Sequence, residues 1–429
     1  HYINDRDRGH VWEETLILLP PEIQLVMLSA TIDRADRFAN WLAELKQKPI
    51  VLLSTLYRIV PLTHCVLQGD ELKVLMDSKD QFYEDVYRKW VDNRHKALKD
   101  QEDYQRKVKD ARSGGTEGRI EGKARVASFL SQLNTTVRYM EEKNLLPALC
   151  FMFSRKGCER YAHSIETTLL DSSESAKVKH IWDFHLHPYK EQLETLPQAH
   201  KLRELAEKGI AYHHSGLLPI LKEIIEILFS RGFIKLLFAT ETFAVGLNMP
   251  TKTCLFLGLE KFSEDVQRLR TLRTDEYIQM AGRAGRRGKD PVGTIIYLPE
   301  RDPIPVYDMK AMMMGGRSMI LSKMQFHYDF LMKTLQANNL DWIRLMKDSY
   351  WFLQRGEAIQ QTKLHIQELQ DKRKQLGFSE SDWKEITQRD ELETANKHAV
   401  NAKRKETQRN LEAWKNRHMG PKWDGLWKL

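Results

Sequence analysis

The residues best equipped for chemistry lie in one run, Gln279-Met280-Ala281-Gly282-Arg283-Ala284-Gly285-Arg286-Arg287-Gly288, just ahead of an apolar segment. A tight backbone of alternating small residues and arginines can present guanidinium groups at a domain edge. There they stabilise charge developing on a transferred phosphoryl group. Taken alone, the run also reads as a basic surface loop. Ser29-Ala30-Thr31 sets two small hydroxyl residues at the C-terminal end of a strand-like run, where ligands gather in open α/β sheets, although a turn with a helix cap is the simpler reading. From Phe238 to Pro250 an apolar strand breaks into a loop dense in Thr, Gly and Asn, whose hydroxyl and N–H groups suit phosphate oxygens.

His213-His214-Ser215-Gly216 leaves another apolar strand and precedes a helical pattern, so its N–H groups can also receive a backbone phosphate. The adjacent histidines have no Cys, Asp or His partner at ligand spacing, which favours a packed or RNA-facing pair over a metal site. No metal is expected at these residues. The four cysteines, Cys65, Cys150, Cys158 and Cys254, form no close pair and stand mostly in apolar surroundings, as core thiols of an intracellular protein would.

The elements that position these residues follow from periodicity. Thr15–Leu19, Gln24–Leu28 and Ile50–Leu53 read as strands around a helix at Asp33–Leu45. Residues 79–112 are charged and helical, and Ser113 to Gly118 break them. A helix at Val126–Met140 leads into βα units: strands near Ala148–Phe153, Ala211–His213, Ile234–Ala239, Cys254–Leu257 and Thr294–Leu298, and helices at Gly157–Thr167, Leu218–Phe229 and Thr274–Ala284. Beyond Pro303 the pattern is helical, with aromatic residues at core-like spacing (Phe326, Tyr328, Phe330, Trp351), and from Glu357 it is highly charged. With 429 residues, 41% hydrophobic and 29% charged, the chain is too polar for a membrane protein and too apolar to be disordered throughout. Its longest apolar runs are far below the ~18–20 residues that span a bilayer. A formal charge of +8 is a mild excess, compatible with a polyanionic partner.

In this order, His1, Arg8-Gly9-His10-Val11-Trp12-Glu13-Glu14, Ser29-Ala30-Thr31, Phe153-Ser154-Arg155-Lys156, His213 to Gly216, Thr240 to Pro250 and Gln279 to Gly288 resemble the motifs of superfamily 2 DExH helicases. The resemblance is closest to the Ski-type RNA helicases that serve the RNA exosome, and it covers about Tyr2 to Leu353. It implies an α/β fold of tandem RecA-like domains followed by winged-helix and stalk-like helical segments. Residues 1–70 would be the C-terminal half of the first RecA-like domain, 71–125 a charged inter-domain segment, and 126–303 the second RecA-like domain. Residues 304–356 would start a winged-helix domain, and 357–429 would form a charged stalk or tail.

The resemblance also implies roles. Gln279, Arg283 and Arg286 would face ATP, with His1 as the last residue of the DExH box, and Gly246 and Asn248 would line the same cleft. Ser29 and Thr31 would couple hydrolysis to domain closure. Ser154, Arg155, His214, Ser215, Gly216, Thr240 and Glu241 would lie along RNA. In the stretch from Gly258 to Arg273, where related processive helicases carry a strand-separating hairpin, Phe262 or Leu269 would stack on the last base pair; a loop packed on its own domain is the alternative. The implied function is RNA unwinding driven by ATP with Mg2+, in partnership with RNA and exosome-like RNA-processing proteins.

One departure is marked. No Gly-x-x-x-x-Gly-Lys-Ser/Thr loop occurs among the 429 residues, and the family's Mg2+-holding carboxylates would precede His1. The expectation is therefore a fragment that begins at the DExH histidine and is inactive by itself. A DNA helicase of the same superfamily, a non-catalytic nucleic-acid-binding adaptor, and a coiled-coil scaffold built on Glu357–Lys415 are the competing readings.

Overall fold

Five of the apolar runs become parallel strands of one sheet, because residues buried on both faces read as continuous hydrophobic stretches rather than alternating ones, and a sixth parallel strand, Leu62–Gln68, joins them without having been expected. The computed structural model describes residues 2–4, 8–29, 32–55, 58–110, 117–189, 196–241, 243, 251–263, 267–316, 319–336, 341–375, 379–398, 402–419 and 423. The chain divides into two units, one of residues 1–5 and 20–321, the other of residues 6–19 and 322–429.

The first unit is α/β. Its strands are β1 (Leu62–Gln68), β2 (Glu71–Met76), β3 (Ala148–Phe151), β4 (Ile210–His213), β5 (Leu236–Ala239), β6 (Thr253–Phe256), β7 (Glu260–Ser263), β8 (Arg268–Thr271) and β9 (Gly293–Tyr297). Seven of them form a sheet in the order β2-β1-β9-β6-β3-β5-β4, in which only β2 is antiparallel to its neighbour. Strands β3, β4, β5 and β6 are buried along their whole length. Helices Arg155–His163, Pro219–Ser230 and Thr274–Ala281 fall close to where periodicity puts them, and Glu84–Asp110 is the expected charged helix. The four cysteines are free and buried, and burial pushes the thiols of Cys65, Cys158 and Cys254 up to about 12.

Three expectations are corrected here. Thr15–Leu19 is not a strand: helix Gly9–Leu18, in the second unit, covers most of it, and its buried face is Gly9, Glu13, Glu14 and Ile17. Two glutamates on that face hide the helical spacing from an apolar count. Gln24–Leu28 and Ile50–Leu53 are extended but join no ladder among the described residues, and Val26, Leu28, Val51 and Leu53 are 79–89% exposed. Strand-forming sequence becomes a strand only beside a partner. The boundary expected at residue 70 falls in the turn of the β1–β2 hairpin, where Gly69 takes a φ of +60°, so residues 62–76 belong to the sheet.

The second unit is helical: Gly9–Leu18, Tyr328–Gln336, Trp342–Lys347, Tyr350–Gln375, Glu380–His398 and Ala402–Arg417. The charged tail is thus not one rod. Its last two helices pair through fully buried Trp414, buried Ile386 and a Thr407 Oγ1 to Asn396 Oδ1 hydrogen bond of 3.1 Å. No described helix is long and apolar enough to cross a membrane.

Candidate nucleotide and nucleic-acid sites

The expected residues separate to opposite edges of the sheet. The arginine run lies at the N-terminal ends of β6 and β9. Helix Thr274–Ala281 ends there, and the following turn is stitched to Thr251 by Thr251 N donating to Arg283 O (2.9 Å) and Gly285 N donating to Thr251 O (2.7 Å). Gly285 takes a φ of +87°, and a Cβ there would collide with Val60 Cγ1 and reach the Gly293 Cα at 3.1 Å. Only glycine fits so close an approach. Arg58 closes the turn from below, its Nη2 donating to Gly282 O (3.0 Å) and Ala284 O (3.2 Å).

Within this turn Gln279, Arg283 and Arg286 are half-buried. Arg286 is forked onto Asp290, with Nε to Oδ2 at 2.7 Å and Nη2 to Oδ1 at 2.9 Å, and the Arg286 N–H adds a third bond to Oδ2 at 2.9 Å. These bonds hold the carboxyl of Asp290 below its usual range and raise the guanidinium. Asp290 therefore orients Arg286 through two of its nitrogens and leaves Nη1 outside the fork. That leaves a donor aimed by protein geometry rather than by solvent, as phosphoryl chemistry requires.

At the opposite edge, the C-terminal ends of β3, β4 and β5 carry the residues expected along RNA. Ser154 caps helix Arg155–His163, its Oγ accepting from Gly157 N at 3.2 Å, and Arg155 and Lys156 project into solvent. Ser215 and Gly216 are exposed beside them, and a Cβ on Gly216 would lie 3.6 Å from Arg155 Cδ. His214 is placed differently. Its ring is 2% exposed, Nδ1 accepts from Gly216 N (3.1 Å), and Nε2 consequently carries the proton donated to Glu159 Oε1 (3.0 Å). Burial lowers its pKa against the pull of Glu159, and the ring shapes the Ser215–Gly216 turn through its bond from Gly216 N. His213 is likewise buried, paired with Glu226 at 2.9 Å.

The stretch after Gly258 is a hairpin, β7 paired antiparallel with β8, in which Phe262 and Leu269 are cross-strand partners, 57% and 44% exposed. Pleat alternation turns Lys261 the other way, onto Glu276 (2.9 Å) and Glu241 (2.7 Å). Arg270 forks onto Glu276 at 2.8 Å through both Nη groups, and Arg273 N and Nη2 complete the set at 2.8 and 3.1 Å. Burial alone would raise the Glu276 pKa, but these donors bring it down to about 2. Glu241 thus anchors the hairpin. Ser154, Phe262 and Leu269 line one cleft of about 160 Å3 with Lys261 and Arg301. Thr240, half-buried, accepts from Phe243 N at 3.1 Å.

One helix joins the two edges. Thr274–Ala281 holds the hairpin through Glu276 near its first turn and runs into the arginine turn at its last. It is fixed to the sheet midway, where Tyr277 OH meets His64 Nδ1 at 2.6 Å and Met280 O accepts from Cys254 Sγ at 3.5 Å. Burial and the nearby Arg58 charge lower the His64 pKa to about 3, so its imidazole stays neutral. Ser29 is exposed. His1, Thr31, Gly246 and Asn248 lie outside the described residues.

Sequence reasoning missed Asp290, Arg58, Glu159 and Glu276. Asp290 had a signal, the four-residue spacing from Arg286, and so did Glu276, three residues after Arg273. Arg58 and Glu159 had none, since only the fold brings them to their partners.

Residues 184–288 match the helicase conserved C-terminal domain. Over 393 residues, 89% of this chain, it is 37% identical to Superkiller complex protein 2 of Mus musculus, and over 364 residues, 84% of the chain, 37% identical to the Exosome RNA helicase MTR4 of Homo sapiens. Antiviral helicase SKI2 of Saccharomyces cerevisiae is 36% identical over 393 residues, 82% of the chain. The chain spans 30–33% of the length of these relatives. At this identity over 82–89% of its residues, the chain is similar to the Ski-type superfamily 2 DExH RNA helicases.

Proposed function

We propose that this chain is part of an ATP-dependent RNA helicase, supplying the arginine-bearing RecA-like domain and its RNA-facing edge. The carrying observation is helix Thr274–Ala281. Its eight residues span roughly 12 Å between the Glu276-anchored hairpin and the arginine turn. Because Tyr277 and Met280 lock the helix to the sheet, the arginine turn and the hairpin move as one body when the turn engages a nucleotide.

For ATP, the residues present fit: Gln279, Arg283 and the unforked Nη1 of Arg286 offer donors to phosphate oxygens at a turn held rigid by Thr251 and Arg58. Bound nucleotide, with Mg2+, supplies the free energy of phosphate transfer to water. Arg283 and Arg286 bind and neutralise the phosphate charge, and Asp290 keeps Arg286 in orientation. Gly246 and Asn248 belong to the same cleft in this reading, and Ser29 and Thr31 to the coupling of closure. At the other edge, the N–H groups of the Arg155–His163 helix start and the exposed Ser215–Gly216 turn suit backbone phosphates. Phe262 and Leu269, side by side on the hairpin, offer a base-sized apolar surface.

In the same reading, residues 304–356 belong to a winged-helix-type module and the helical tail to a stalk. Its partners are RNA and exosome-like processing proteins. The buried free thiols support an intracellular location. The test is ATP hydrolysis by the native protein with single-stranded RNA or DNA of one sequence. RNA is expected to stimulate turnover well above DNA. Equal stimulation by DNA would refute RNA specificity, and no stimulation by either would leave a nucleic-acid-binding adaptor.

A further inference from the structure

The helical unit contains a side-chain cluster that the helicase reading leaves unused. His10 and Glu14 stand one turn apart on helix Gly9–Leu18, and His327 directly precedes helix Tyr328–Gln336, its carbonyl accepting from Leu331 N at 3.2 Å. One ligand atom from each lies within 4.8 Å of the others, and the two imidazoles meet edge to face with centroids 5.0 Å apart.

The bonding inside this cluster is incomplete in a specific way. Neighbouring Glu13 is satisfied at both oxygens, by Ser322 Oγ at 2.6 Å and Trp351 N at 3.3 Å. Glu14, 2% exposed, has its Oε2 held by Lys333 Nζ at 3.2 Å, whereas Oε1 is buried with no hydrogen-bond partner among the described residues. His327 Nδ1 is buried and unpartnered in the same sense. Two buried polar atoms in one cluster thus lack a hydrogen-bond partner among the described residues, and a shared cation would satisfy both.

We propose that His10, Glu14 and His327 form a binding site for a divalent transition metal of the zinc class. Two imidazoles and one carboxylate are the donor set that zinc takes at three positions with a fourth left for water, whereas Mg2+ and Ca2+ prefer all-oxygen sets. Ligand bonds of about 2.0–2.2 Å put tetrahedral donors about 3.3 Å apart, so modest side-chain rotation completes the site. Lys333 fixes the carboxylate plane through Oε2 and leaves Oε1 as the binding oxygen. Occupied, the site ties two helices whose ligands are 317 positions apart in sequence. The distance also explains why spacing alone could not reveal it.

The test is metal content. Native protein stripped with chelator, reloaded with Zn2+ or Co2+ and desalted should retain one ion per chain, and Co2+ should give the strong visible absorption of a four-coordinate site. Excess Mg2+ should not displace it. The paired variant His10→Val with His327→Leu removes the ligands without adding an unpaired polar group, and its helicity by circular dichroism checks that it folds. The folded variant should retain no ion. Equal retention by the folded variant, or none by native protein, would overturn the assignment; if the variant unfolds, loss of the Co2+ absorption in the milder His327→Gln variant decides.

Discussion

Glu276 shows how one residue ties stability to geometry. It is 8% exposed and receives donors from Lys261, Arg270 and Arg273, which hold its pKa at about 2 against an ordinary 4.5. The folded form binds its proton later than the unfolded form, so the stabilisation is complete above about pH 4.5 and disappears as pH falls towards 2. The linked contribution is on the order of 3 kcal/mol. Chemical unfolding followed from pH 7 to pH 2 should show Glu276→Gln less stable at neutral pH and the two proteins converging in acid; parallel curves would contradict this. Gly285 makes a different demand. Gly285→Ala forces a side chain onto a φ of +87° and against Val60 and the Gly293 backbone. A loss of about 2–4 kcal/mol is expected in the same unfolding experiment.

Among the elements, the β7–β8 hairpin carries the sharpest expectation. Its anchor residues face Glu276, while Phe262 and Leu269 share the exposed face, so the two tasks can be separated by mutation. Phe262→Ala with Leu269→Ala should slow RNA strand separation at least about tenfold while leaving RNA-stimulated ATP turnover within about twofold, since each stacked base is worth about 1–3 kcal/mol. Equal loss of both activities would give the hairpin another role. The sequence made most elements of the first unit legible because four of its parallel strands are fully buried and its helices amphipathic. It misled where burial was polar, at Glu13 and Glu14, and where strand-like runs lack a partner, at Val26 to Leu28 and Val51 to Leu53. At the sites, motif order located the arginine turn and the strand ends. It left His214 as either packed or RNA-facing, and it did not reveal that Asp290 orients Arg286, because both are decided by contacts made only in the folded chain.

Under the proposed function, the arginine turn converts ATP hydrolysis into movement along RNA. Arg283 and Arg286 lie on the edge of the sheet away from Ser154, Arg155, Ser215 and Gly216, so damage at one edge should spare binding at the other. The most direct measurement compares ATP turnover and RNA affinity in the native protein and its Arg286→Lys variant. Lysine keeps the charge but cannot fork onto Asp290 while presenting a second donor. Turnover is expected to fall by about 10³-fold or more, as for loss of an arginine finger, with RNA affinity within about threefold. Turnover close to that of the native protein would contradict it.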